Sequence, residues 1–208
     1  MCSDAFTIYT FLKEKNLLED APEFWWPNAG SFEVVIGAIL TQNTRWENVE
    51  KSLYNLKNHL TLETFITLSE EQLKEKIQPS GFYNQKASRL LALTCNIKKE
   101  FKTFENFQKN VTREWLLAQK GIGQESADAI LCYGCWRAEM VVDTYTKRLL
   151  KRFGCEFPKY EEYKLFLEEG MKYHYEYEAL QRVYAEFHAM IVEFESLKKT
   201  KKSLFKER

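Results

Sequence analysis

Apolar residues recur at helical spacing along almost the whole chain, and few residues that break such runs are present. Of 208 residues only 8 are Gly and 4 are Pro, which favours helix over a turn-rich β architecture. The segment FEVVIGAILTQNT (32–44) is apolar on nearly every side, as a central helix with neighbours all round would be. Amphipathic runs flank it. Phe6, Tyr9, Thr10 and Leu12 mark a short first helix, VEKSLYNLKNHL (49–60) another, and NQKASRLLALTCNIKKEF (84–101) a longer one. SEEQLKEKI (69–77) opens on Ser69 with Gln72 three residues on, a capping-box pair, and PSG (79–81) ends it. TREWLLAQ (112–119) has Thr112 as N-cap and Glu114 in its first turn. DTYTKRLLKRFG runs from Asp143 as N-cap to Gly154 as the C′ glycine. KYEEYKLFLEEG and HYEYEALQRVYAEFHAMIVEF complete the set. The one candidate strand, MVV (140–142), is too short to support a sheet, so the expected fold is all-α.

A hydrophobic share of 45%, with 15% aromatics, is enough to pack one domain or two modest lobes. Lys+Arg and Asp+Glu are both 30, so a nucleic-acid surface would have to be a local patch. Basic residues do cluster, in TKRLLKR (146–152) and in the tail KKTKKSLFKER (198–208). The tail reads either as a solvated end or, through Lys198 or Lys199, as an arm that reaches a pocket. Five cysteines at 2, 95, 132, 135 and 155 are odd in number and scattered, and no apolar leader or membrane-length run occurs. The expectation is a soluble, reduced, cytoplasmic chain with no membrane contact. Cys132-x-x-Cys135 has no partner pair and reads as two buried small residues. His59, His174 and His188 show no ligand spacing, so no metal is expected.

The stretch WLLAQKGIGQESADA (115–129) joins two helical runs through Gly121-Ile122-Gly123. A dinucleotide fingerprint would need a strand before the turn and a third glycine, but the preceding run is helical and position 126 is Ser. No Gly-Lys-Ser/Thr follows, so it is not a P-loop either. Two helices on a Gly-x-Gly turn form a helix-hairpin-helix, whose outward amides suit a DNA phosphate, or else an ordinary αα-hairpin. LLAQKGIGQESADAI with VVDTYTKR resembles the helix-hairpin-helix DNA glycosylases of the endonuclease III superfamily, which carry a catalytic aspartate in a V-D-T turn. IQPSGFYNQKASRL (77–90) is similar to that family's G-x-Y-x-x-K-A segment, and AILTQNT (38–44) to its L-S-x-Q helix. The resemblance spans about residues 30–155.

The resemblance implies two helical lobes with a DNA groove between them. One would comprise 30–142, with the hairpin at about 112–135; the other would comprise 1–29 plus 143–208. It implies Asp143 as the catalytic carboxylate, although the residue also suits a plain N-cap. Gln42 and Phe82 would fill the gap a flipped nucleotide leaves, although Gln42 reads equally as a buried helix polar group and Phe82 as core. Gly121, Gly123, Gln124, Lys147 and Arg148 are the expected phosphate contacts, with Lys86 as a further groove cation. Many relatives hold an iron–sulfur cluster on four C-terminal cysteines. After Asp143 this chain has only Cys155, so no cofactor is expected, and aromatics at 160, 163, 166, 173, 175, 177, 184, 187 and 194 would pack that lobe instead.

Breaking an N-glycosidic bond builds positive charge on the sugar, which a fixed carboxylate stabilises. In bifunctional relatives a lysine two residues after the second glycine attacks as an amine. Glu125 stands there in this chain, and a carboxylate forms no Schiff base; Lys120 is out of register. The expectation is a monofunctional enzyme. FWWPN (24–28) offers aromatic surface at Trp25 and Trp26, closed by Pro27, and Trp46 lies one helical turn beyond Gln42; these rings either seal the lobes or form the base pocket. Cation–π attraction of about 0.5–2 kcal/mol per ring suits a cationic alkylated purine. The aromatic-then-QNT order resembles the cluster-free bacterial 3-methyladenine branch of the superfamily. The expected function is a monomeric base-excision glycosylase that removes 3-methyladenine from double-stranded DNA. The alternatives are specificity for a mismatched or oxidised base, and a non-catalytic DNA-binding module.

Overall fold

In the computed structural model the backbone is described for residues 2–204 and the side chains for residues 2–197. Lys198, Lys199 and the rest of the basic tail therefore lie outside the described side chains. The chain forms two helical units, Met1–Pro27 with Arg137–Arg208, and Asn28–Trp136. Helix α1 (Ala5–Lys13) opens the first unit. The second holds α2 (Phe32–Leu40), α3 (Trp46–Asn55), α4 (Leu62–Phe65), α5 (Glu70–Ile77), α6 (Tyr83–Phe101), α7 (Phe104–Asn110), α8 (Arg113–Leu117) and α9 (Gln124–Ala129). The chain then returns to the first unit with α10 (Thr144–Arg152), α11 (Tyr160–Lys172) and α12 (Tyr177–Leu204). Among the described residues there is no strand, and no helix is long and apolar enough to cross a membrane.

The helix starts follow local chemistry. Asp4, Ser31, Thr61, Ser69, Thr103, Thr112 and Asp143 each accept a backbone N–H of the first turn through the side chain. Such a cap is worth about 1 kcal/mol. The Ser69–Gln72 capping box forms as expected. In the second unit all nine residues of α2 are buried, so this helix is the axis round which the others pack. Phe32, Phe65, Phe101, Phe104, Phe107 and Trp115 meet mostly edge to face around it. Helix α9 runs on into one buried π-helical turn, Ile130–Gly134. Gln108 Nε2 donates to both Gly30 O and Gly134 O at 2.8 Å, and the Trp136 ring lies where a Cβ on Gly30 would be.

The first unit packs α1, α10, α11 and α12 round Ile8, Tyr9, Leu12, Leu149, Leu167, Met171, Tyr184 and Phe187. Gly170 lets α11 approach α1, since a Cβ there would sit 2.6 Å from that of Ala5. The C-terminal aromatics divide. Tyr163, Tyr184 and Phe187 are core, whereas Tyr173 and Tyr177 are exposed. Residues 140–142 are extended without a strand partner, and their amides go to side chains of α11. Met140 N–H donates to Glu168 Oε1 at 3.0 Å and Val142 N–H to the Tyr160 hydroxyl at 3.2 Å. The expectation of wholly reduced cysteines fails at one pair, because Cys2 and Cys155 form a disulfide. Docking of the N-terminal segment on the end of α10, through Ser3 N–H to Phe153 O at 3.2 Å, brings the two thiols together. Cys132 and Cys135 are buried and not disulfide-bonded.

Candidate active site

Asp143 stands where the extended segment turns into α10. Its Oδ1 accepts from Thr146 N–H at 2.7 Å and from Thr146 Oγ1 at 2.9 Å, and Thr146 Oγ1 accepts in return from Asp143 N–H at 3.4 Å. This reciprocal box fixes the carboxylate rotamer and leaves Oδ2 to face away. Oδ2 lies 3.8 Å from Nε2 of His188, a buried residue of α12. That distance makes the contact electrostatic rather than a direct hydrogen bond. Burial works to raise the carboxyl, but His188 and the Thr146 donors outweigh it and hold Asp143 below its ordinary value.

His188 has a second neighbour, Trp25, whose ring meets it edge to face at 5.5 Å between centroids. Trp25 adopts a left-handed backbone (φ 60°), with its N–H on Pro22 O at 2.7 Å. Its indole Nε1 donates to Glu193 Oε1 at 2.9 Å. Trp26 is buried at a right angle to Trp25, 6.3 Å away between centroids. Half-buried Pro27 ends the segment. Left-handed backbone costs a tryptophan about 1–2 kcal/mol, so the packing around this loop over-determines it. Spacing offers no signal for His188 or Glu193, since α12 brings them to Asp143 and Trp25 only in three dimensions. On α10, Lys147 and Arg148 are exposed; Lys147 Nζ lies 5.9 and 5.7 Å from the Tyr160 and Tyr163 ring centroids.

The hairpin belongs to the second unit. A bidentate ion pair clasps its helices, Arg113 Nε to Asp128 Oδ1 at 2.6 Å and Arg113 Nη2 to Oδ2 at 3.1 Å. Its two glycines have different reasons to be there. Gly121 has φ 83°, and a Cβ on it would lie 2.4 Å from Arg89 Cδ. Gly123 is extended and caps α9 without a side-chain bond, and a Cβ on it would meet nothing within 4 Å. Open space over a helix N-terminus is what an approaching phosphate requires. Gln124 is half-buried, and Glu125 is exposed on the first turn of α9.

Gln42 is tied to this hairpin. Its Nε2 donates to Gly121 O and to Ser126 Oγ, both at 3.0 Å, and its Oε1 accepts from Arg89 Nη1 at 3.0 Å. Phe82 differs: it is 63% exposed, left-handed at φ 47°, and stands just before α6. Two expectations need correction. Lys86 is no groove cation, because it is 1% exposed and its ammonium is consumed inside the unit by Leu40 O, Thr44 Oγ1 and Ser80 O. Trp46 is not one turn beyond Gln42 on the same helix. Helix α2 ends at Leu40, the chain turns through 41–45, and Trp46 begins α3 half-buried.

Trp25, Trp26, Pro27, Asp143, Lys147 and Arg148 thus belong to the first unit. Gln42, Trp46, Phe82, Gly121, Gly123 and Gln124 belong to the second. Residues 36–172 match the model of the HhH-GPD superfamily base excision DNA repair protein. The 3-methyladenine DNA glycosylase MagIII of H. pylori, solved bound to 1,N6-ethenoadenine, is 48% identical. It aligns over 94% of this chain and 99% of that one, with a TM-score of 0.90. A protein of Methanocaldococcus jannaschii named as a DNA repair glycosylase is 43% identical over 178 residues, 81% of this chain and 78% of that protein. Endonuclease III of Thermotoga maritima is 30% identical over 124 residues, 59% of this chain and 56% of that enzyme. With its helical units, its Gly-x-Gly hairpin and its capped V-D-T aspartate, the chain belongs to the HhH-GPD superfamily of base-excision DNA repair proteins, among the DNA glycosylases.

Proposed function

We propose that the protein is a monofunctional glycosylase that releases alkylated purines, 3-methyladenine first among them, from double-stranded DNA. The observation that carries the reading is Asp143: a carboxylate kept ionised by Thr146 and His188, one residue away from the tryptophan loop. The likeness to the H. pylori 3-methyladenine glycosylase supports the choice of substrate. Phe82 enters the duplex as the wedge, and Gly121, Gly123, Gln124, Lys147 and Arg148 take phosphates. Trp25 and Pro27, both half-buried, offer stacking surface to the flipped base, with the buried Trp26 behind Trp25, and Trp46 of the second unit offers an indole to the DNA. Gln42, engaged with Gly121, Ser126 and Arg89, serves by holding the hairpin in place more directly than by filling the gap.

In the reaction the C1′–N bond breaks with its electron pair leaving on the base. A cationic alkylated purine departs neutral and needs no added proton. Asp143 stabilises the positive charge on the sugar, and water adds its oxygen to C1′ and releases its proton to solvent. Glu125 occupies the position where an amine would otherwise attack, so the product is an intact strand with an abasic site.

The test is release of 3-methyladenine from dimethyl-sulfate-treated DNA by the parent and by Asp143→Asn. Asn caps a helix about as well as Asp, so the variant removes charge without removing the cap. Release by the parent alone is the expected result; equal release by both removes Asp143 from the chemistry. Borohydride treatment during turnover should trap no protein–DNA adduct, and a trapped adduct would overturn the monofunctional assignment.

A further inference from the structure

The buried lysine of α6 joins two segments that the proposed reaction uses. One is the turn after α2, with Gln42 and Thr44; the other is the Gln78–Ser80 turn that leads through Gly81 to Phe82. Lys86 Nζ donates to Leu40 O at 2.8 Å, to Thr44 Oγ1 at 2.6 Å and to Ser80 O at 2.8 Å. All three ammonium protons are therefore used. Thr44 Oγ1 closes the figure by bonding Ser80 O at 2.5 Å. Placing an ammonium in the interior is costly unless its bonds are complete. Any apolar residue of similar length would fill the space. What this residue adds is a hydrogen-bonded cross-link between the two loops, beside the direct Thr44–Ser80 bond.

We propose that Lys86 is a positioning residue for base flipping, holding the Gln42–Thr44 turn and the Ser80–Phe82 turn as one body so that the exposed Phe82 ring enters the DNA stack at a fixed place. The inference rests on the reading of Phe82 as the wedge. Phe82 sits two residues beyond Ser80 in a left-handed conformation, at the start of α6. A wedge that wanders by about 1 Å can lose up to about a hundredfold in a positioned step.

The cross-link depends on protonation. Burial, with the Arg89 guanidinium next, pulls Lys86 down to about 8. The groups that face its ammonium from α2, from the turn after it and from Gln78–Ser80 do not titrate; among the described residues Arg89 is the charge that acts on it. Above pH 8 the neutral amine has two protons for three acceptors. The linkage to folding has the opposite sign. From about 8 to the ordinary 10.5 the unfolded chain binds more protons at this residue, so its contribution to stability rises with pH. Loss of wedging above pH 8 therefore does not follow from loss of fold at Lys86.

The experiment uses a duplex with 2-aminopurine beside a tetrahydrofuran abasic-site analogue. Its fluorescence at saturating protein reports how far the stack is opened. The parent should give a large change at pH 7 that falls several-fold by pH 9. Lys86→Met and Thr44→Val should each give a small change, and in Lys86→Met it should be flat over that range, with anisotropy still showing full binding. Thr44→Val and the pH series of the parent stand even where Lys86→Met does not fold. Phe82→Ala is the control for the underlying reading. If Phe82→Ala behaves like the parent, the wedge assignment itself is lost. If Phe82→Ala loses the signal while Thr44→Val and the parent at pH 9 keep it, Lys86 is only a core residue and the proposal falls.

Discussion

At the scale of single residues, the Asp143–His188 contact sets a pH signature. The Asp143 carboxyl is held below 3.8 even though burial alone would raise it. A group with a depressed folded value contributes stability that is complete above its unfolded value and is lost as pH falls through the folded one. The same holds for the charge that steadies the sugar cation, so Asp143 stays competent through mild acid. His188→Gln keeps a polar side chain of similar reach but removes the imidazole that helps hold the carboxylate ionised. The acid limb of single-turnover base release should move upward in pH in this variant, with a smaller effect on the rate at neutral pH. A limb that stays in place or moves down would show that His188 does not act on Asp143. Only half of this pair is legible in the sequence. A cap signature and the V-D-T match single out Asp143, whereas His188 lies 45 positions away on an apolar helix face (188 − 143 = 45), where no local spacing distinguishes it from a core residue.

At the scale of elements, the hairpin separates two uses of glycine. Gly121→Ala forces a side chain into left-handed backbone, at about 1–2 kcal/mol, and also into the Arg89 stem. Since Arg89 holds Gln42, the turn and the end of α2 should loosen together. Gly123→Ala meets no atom and no backbone strain. Denaturant unfolding should show a clear loss for the first variant and a change within about 0.5 kcal/mol for the second. Duplex affinity should nonetheless weaken in Gly123→Ala, with a shallower salt dependence, because a methyl group occupies the open face above the α9 amides. Unaltered affinity would mean that no phosphate approaches there. Several helix starts are legible because a cap acts within a few residues: Ser69–Gln72, Thr112 and Asp143 each open a helix as expected, and Gly154 follows the end of α10. Helices α4 and α7 are also capped, by Thr61 and Thr103, but their four and seven residues show no period beside the cap. Trp46 departs from the expected helix because an all-apolar run gives no sign of where it stops.

At the scale of the whole molecule, closure over long distances is what local signals do not carry. Cys2 and Cys155 are 153 residues apart, and neither has a neighbour that announces the other. Their proximity comes from the packing of α1 with α11 and α12, and from the N-terminal segment lying along the end of α10. The bond ties the start of the chain to the loop that follows α10 and so closes most of the sequence into one loop. Cross-links of that span restrict the unfolded ensemble strongly, and a typical contribution is about 2–5 kcal/mol. For a protein of this size, 1 kcal/mol corresponds to roughly 2–4 °C, so reduction should lower the unfolding midpoint by about 5–15 °C. Cys155→Ser should melt where the reduced parent melts, and adding reductant to the variant should shift it no further. Base release well below the melting range should be kept, because the bond sits at the far end of α10 from Asp143. If reductant leaves the midpoint of the parent where it was, the cross-link contributes nothing to the fold, and the docking of the N-terminal segment must rest on α1 and on the Ser3 N–H bond to Phe153 O.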